Sequence, residues 1–156
     1  MLIVLITVLA LSGCASPTPT ATPVPTAAPT ATPVPGPAAL TVNGSVTTPL
    51  TLSLTDLRAL PQMSVNASYV KNNQTLYVAG TGPSLNAILN QSGLSTSAKN
   101  LTFIASDGYT KAITLSTVTG TANATVIILG DGSLRDVIPG QAANTWVSNL
   151  TAITIS

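Results

Sequence analysis

The sequence predicts an α+β domain: a mostly β, mixed-sheet body with two short helices, behind an N-terminal address and a tether. Three observations carry that reading. Apolar residues alternate with polar ones at period two through most of the chain beyond Leu40. Only two segments switch to helical spacing. The first 38 residues have a composition of their own, an apolar run and then Pro, Thr, Ala and Val.

Half-buried strands are expected at Leu40/Val42, Leu50/Leu52/Leu54, Met63/Val65/Ala67/Tyr69 and Leu76/Val78. Further strands are expected at Leu101/Phe103/Ala105, Ile113/Leu115, Val126/Ile128 and Ile153/Ile155. The first helix is expected over Thr55–Leu60, opened by a capping residue and Asp56 and stopped by Pro61. The second is expected over Pro83–Gln91, with Leu85, Ile88 and Leu89 on one face and Gly93 just past its end. Asp131-Gly132, between two apolar runs, signals a hairpin.

At the N-terminus, Leu2–Leu11 is an apolar run of about ten residues, half of what a membrane span needs. It has the length of a signal-peptide core. Leu11-Ser12-Gly13-Cys14 follows and looks like the lipobox of prokaryotic lipoproteins, with small residues before the thiol that takes the lipid. Residues 1–13 are therefore expected to be a lipoprotein signal peptide. Residues 14–38 are expected to be a lipidated Cys14 and its tether. Eight of the twelve prolines fall between Pro17 and Pro37, so this stretch should be extended, reaching on the order of 70 Å at ~3.1 Å per residue. No two of those prolines are three apart, which excludes a PxxP ligand. The expected location is extracytoplasmic, anchored to the outer face of the cytoplasmic membrane. Residues 39–156 form one domain of ordinary size.

Composition excludes much chemistry. Of 156 residues, 6% are charged and 45% hydrophobic, with five Lys+Arg, four acids, no His and a net charge of +1. No nucleic-acid partner is expected, because so few cations cannot neutralise a row of phosphates. One Cys and no His cannot assemble the common zinc, haem or blue-copper ligand sets, nor a Ser-His-Asp triad. Gly80-Thr81-Gly82 precedes a helix, but position 85 is Leu and no Gly-Lys-Ser/Thr follows, so the dinucleotide and P-loop fingerprints fail.

A surface with so few ions needs another source of hydration. Asn-x-Ser/Thr occurs at Asn43, Asn66, Asn73, Asn90, Asn100, Asn123 and Asn149, where chance would place roughly two or three such acceptors. These are candidate N-glycosylation sites. With the lipobox they favour an archaeal cell surface over a bacterial one.

A string of landmarks over residues 39–156 resembles the molybdopterin-binding fold of the sulfite oxidase superfamily. The landmarks are Leu40–Val46 with Pro49–Leu57, Ala79–Leu85 with Ile88-Leu89, Leu101–Tyr109, and Gly132–Gly140 with Trp146-Val147 and Leu150–Ile155. The resemblance implies that fold, and it implies a molybdopterin cofactor in the enzymes that share it. Those enzymes hold the metal through a Cys thiolate soon after the third strand. The corresponding stretch here, Ser64–Lys71, has no Cys, and the cations that would grip a pterin pyrophosphate are scattered. No metal ligands and no catalytic residues are assigned; molybdopterin stays possible by the resemblance only, and no cofactor is the expectation.

The candidate ligand corner is Asp107, Gly108, Tyr109, Lys111 and Arg135. Asp107-Gly108 suits a tight turn, and Tyr109 offers an aromatic face with a polar tip. Lys111 would project beside Tyr109 if a strand resumes there. Arg135 could clamp an anion, although a local pair with Asp131 or Asp136 is the favoured reading. Trp146, the only Trp, is read as core. The functional expectation is a lipid-anchored binding or scaffolding module for an unidentified ligand or surface protein. The alternatives are an oxidoreductase subunit that retains a pterin, and a purely structural glycosylated surface protein.

Overall fold

The computed structural model describes residues 36–71 and 73–156. The expected signal peptide, Cys14 and the expected tether up to residue 35 lie outside the described residues.

The domain is built on a five-stranded mixed sheet. Its strands are β1 (Ala38–Gly44), β2 (Leu50–Ser53), β5 (Asn100–Ala105), β6 (Thr110–Thr114) and β9 (Leu150–Ile155), in the order β2-β1-β9-β5-β6. The β1–β9 pairing is parallel, and its neighbours are antiparallel. Two ribbons complete the strand set. The hairpin β3 (Gln62–Lys71) with β4 (Gln74–Pro83) runs in register over ten pairs. The ribbon β7 (Thr125–Ile128) with β8 (Leu134–Val137) turns through Asp131-Gly132 as expected, Gly132 taking a positive φ of 83°.

Three α-helices are present among the described residues, one more than the sequence suggested: α1 (Leu54–Ala59), α2 (Leu85–Ser92) and α3 (Leu115–Thr119). A short 3₁₀ turn, Ala143–Thr145, precedes β9. Leu54 and Leu115 leave their expected strands and become the first residues of α1 and α3. The reason at Leu54 is local. Ser53, not Thr55, caps the helix: its Oγ accepts from Asp56 N at 3.2 Å, and Asp56 accepts from Ser53 N at 2.8 Å. That reciprocal box satisfies two otherwise orphan donors. It also pulls the Asp56 carboxyl below its ordinary range, mainly through the Ser53 hydroxyl. Pro83 ends β4 instead of opening α2, whose cap is Ser84 and whose end is Gly93 in the left-handed region.

Apolar faces divide into two clusters. The larger joins Leu40, Val42, Leu101, Phe103, Ile153 and Ile155 of the sheet to Leu57, Leu85, Ile88, Leu89 and Val118 of the three helices. The smaller joins Val65 and Ala67 of β3 to Ile127, Val137 and Trp146, with Tyr69 and Val78 against it. The β7–β8 ribbon serves both. Alternation along β7 sends Val126 to one cluster and Ile127 to the other, so its apolar run is continuous because both faces are covered.

Candidate functional site

Trp146 anchors the smaller cluster. It is 5% exposed, its Nε1 donates to Ile138 O at 3.1 Å, and its ring meets Tyr69 edge-on at 5.3 Å. The core reading of this residue holds. Trp146→Phe leaves the Ile138 carbonyl without that donor, and should lower unfolding free energy by about 1–2 kcal/mol in urea titrations followed by circular dichroism.

Beside this contact lies a cavity of about 450 Å³, lined by Tyr69, Val70, Arg135, Ala142, Ala143 and Asn144. Its volume suits a small ligand. Alternation along β8 puts Arg135 on the face of Val137, turned toward β3, and Asp136 on the face of Leu134. Arg135 Nε is buried and has no hydrogen-bond partner.

The expected local pair of Arg135 is not formed. Asp131 is occupied in its own turn, where Oδ1 accepts from Ser133 N at 2.9 Å and Ser133 Oγ at 2.7 Å. Those bonds lower its pKa. Asp136 is fully buried; its Oδ1 accepts from Val147 N, and its Oδ2 has no partner. Burial pushes its pKa up to about 7, against the opposing pull of the Val147 amide and the nearby Arg135 charge.

Of the other candidates, Asp107 and Gly108 build a turn. Asp107 Oδ1 accepts from Tyr109 N at 2.9 Å, and Gly108 supplies the positive φ of 84° that closes the β5–β6 connection. Tyr109, half exposed, reaches across to the cavity's edge, donating its hydroxyl to Asn144 O at 3.1 Å. Lys111 lies in β6 opposite Phe103 and is not among the cavity residues. Tyr109 and Arg135 thus meet at the Ala142–Asn144 segment, one through its backbone and one through the cavity, whereas Asp107, Gly108 and Lys111 stay outside. Sequence reasoning missed Tyr69, Val70, Ala142–Asn144 and Asp136. The Asp136 signal was available: an acid between Leu134 and Val137, on the inward side of the alternation.

The residues present do not fit a molybdenum held by a protein thiolate. Ser64–Lys71 is strand β3 itself and carries no thiol, and no cluster of three or more His, Cys, Asp or Glu exists among the described residues. Arg135 is the one cationic side chain among the cavity residues.

Comparison with known proteins gives consistent relatives. The chain matches the family model described as oxidoreductase molybdopterin binding domain over residues 29–156. Among solved structures it is similar to the sulfane dehydrogenase SoxCD from Paracoccus pantotrophus, with a TM-score of 0.64 and 18% identity. That match covers 74% of this chain and 37% of that one, so the chain spans little more than a third of its relative and the likeness is one of fold. No curated protein matches. The ordered landmarks, the mixed sheet with its two ribbons and the family match agree, and the chain belongs to the oxidoreductase molybdopterin-binding domain family.

Proposed function

We propose that the domain is a ligand-binding module on this family's fold that does no molybdenum chemistry. The observation that carries the reading is the donor set of the cavity: an unpartnered buried Arg135 Nε beside Tyr69 and Asn144, with no thiol and no imidazole. A guanidinium in that state favours an anionic or carbonyl-bearing ligand, because pairing would recover the cost of its desolvation. Tyr69 would supply an aromatic wall, and the Ala142–Asn144 segment a rim braced by Tyr109. A purely structural role is disfavoured by this lining, which is not the filled aliphatic seam such a role allows.

The module is displayed outside the cell in this proposal, held to the outer face of the cytoplasmic membrane by lipid on Cys14 and spaced by the Pro/Thr tether. Two acyl chains at Cys14 would give stable attachment without a spanning helix.

Family membership favours the rival reading, a redox subunit that retains a pterin. The deciding experiment is molybdenum and tungsten content, with pterin fluorescence after acid oxidation, on native protein released from its membrane. Background levels of all three are expected. Near-stoichiometric metal or pterin would overturn the binding-module reading and make this a cofactor-bearing subunit with unusual ligation.

A further inference from the structure

The outer face of the β3–β4 hairpin carries a feature the cavity does not explain. Tyr77 is 74% exposed, the most exposed large apolar side chain among the described residues. Its neighbours on that face are set by the register: Tyr77 opposes Ser68, and Ala79 opposes Asn66. Asn66-Ala67-Ser68 is an N-glycosylation acceptor lying in extended chain. Period two therefore points the acceptor amide and the sequon hydroxyl to the same side, while Ala67, 8% exposed, points into the smaller core. Small Ala79 leaves space opposite Asn66, and Tyr77 stands diagonally across from it, within reach of a large side chain.

Four of the other sequons are less favourably placed in the folded domain. Ser92 and Thr125, the hydroxyl residues of the Asn90 and Asn123 sequons, are fully buried. The Asn43 side-chain oxygen accepts from Thr154 Oγ1 at 2.8 Å, and Thr151 Oγ1 of the Asn149 sequon donates to Ile104 O at 3.2 Å.

We propose that Asn66 carries an N-linked glycan whose first sugar stacks its C–H face on the Tyr77 ring. In the transfer, the Asn66 amide nitrogen attacks the anomeric carbon of a polyprenyl phosphate- or pyrophosphate-linked oligosaccharide. The N–C bond forms, the anomeric C–O bond to phosphate breaks, the amide loses one proton to solvent, and the polyprenyl phosphate or pyrophosphate leaves. Stacking then covers an aromatic that is otherwise in water, at a cross-strand position where aromatic contacts stabilise a ribbon. The sugar chain also hydrates a face that carries no charged residue, in a protein with 6% charged residues. Among the cavity residues the one asparagine, Asn144, is followed by Thr145-Trp146 and is no acceptor.

The inference rests on the extracytoplasmic location proposed above, and the test separates the two. Native full-length protein is digested, and the Asn66 and Cys14 peptides are read together by mass spectrometry. A hexose- or hexosamine-containing adduct at Asn66 is expected. An unmodified Asn66 beside a lipidated Cys14 would sink the glycan proposal and leave the location standing; an unmodified Asn66 beside an unlipidated Cys14 would sink both. Stacking is read from melting temperatures of Asn66→Gln, Tyr77→Thr and the double variant, Thr being chosen because it keeps strand propensity. In glycosylated protein each single change should lower Tm by about 4 °C, and the double change no further. In protein made by a host without N-glycosylation, Tyr77→Thr should leave Tm within about 1 °C. Additive losses, or an equal loss without glycan, would refute the stacking.

Discussion

Stability should fall as pH rises from about 4 to about 7, and substituting Asn for Asp136 should abolish that slope. The sign follows from proton binding. Asp136 holds its proton up to about pH 7 in the folded domain, against an ordinary value of 3.8. Between those values the native state binds more protons than the unfolded chain, so each added unit of pH favours unfolding. The full difference of about three units corresponds to about 4 kcal/mol, an upper figure reached above pH 7, where the slope vanishes. No His is present to blur this window. Asp56 and Asp131 act elsewhere: their lowered values contribute stability that is present above pH 4 and lost only as pH falls below it. Asp136→Asn keeps an acceptor for Val147 N and removes the buried ionisation. It should therefore match wild type near pH 4 and exceed it by about 2–4 kcal/mol near pH 8. Asp136→Ala instead strands the Val147 amide, at about 1–3 kcal/mol at low pH. Urea unfolding from pH 4 to 8 measures all three; a wild-type curve that stays level through pH 4–7 would refute the assignment.

A methyl group at position 82 should be more damaging than one at position 80, although both glycines lie in β4. A Cβ on Gly82 would sit 1.9 Å from Val126 O and 2.9 Å from Val126 C and Ile127 Cα, all backbone of β7. Backbone cannot turn aside as a side chain can. Gly82→Ala must therefore push the hairpin away from β7, loosening the ribbon that serves both core clusters. A loss of about 3 kcal/mol or more is expected, enough to unfold a marginal domain. A Cβ on Gly80 meets only Ile127 side-chain atoms at 3.1 Å. That neighbour can give by a few tenths of an ångström, so Gly80→Ala should cost about 1 kcal/mol or less. Thermal melts of the two variants side by side check the ranking. Equal effects would mean that β4 approaches β7 less closely than these distances state.

Local chemistry was legible wherever one stretch of chain decides the outcome. Alternation placed Val65 and Ala67 inward and Asn66 outward, and the Asp131-Gly132 turn follows from residues within the turn itself. The Ser53–Asp56 box was also written in the chain, yet the expectation began the helix at Thr55 because Leu54 fits a strand period equally well. Leu115 failed for the same reason: one apolar residue at the end of an alternation belongs to either element. Of the candidate corner, the fold brings Tyr109 and Arg135 to one segment and leaves Asp107, Gly108 and Lys111 apart from it. Asp107 and Gly108 act on their own turn, and no local signal indicated that Tyr109 would brace Asn144, 35 residues away.

By itself, then, the sequence determined the strand-rich class, the apolar face of most strands though not of β7, the hairpin turns, and the absence of imidazole and thiol from the domain. These depend on neighbours within a few residues, where sterics and periodicity act. The tertiary structure alone decided the parallel pairing of β1 with β9, whose partners lie more than a hundred residues apart, and the cavity between β3, β8 and the Ala142–Asn144 turn. It also decided the state of Asp136. Arg135 and Asp136 are adjacent in the chain, but the pleat sends them to opposite faces, one toward a cavity and one into the core. Desolvation is a property of everything packed around a group, so only the assembled fold could raise that carboxyl and leave the neighbouring Arg135 Nε without a partner.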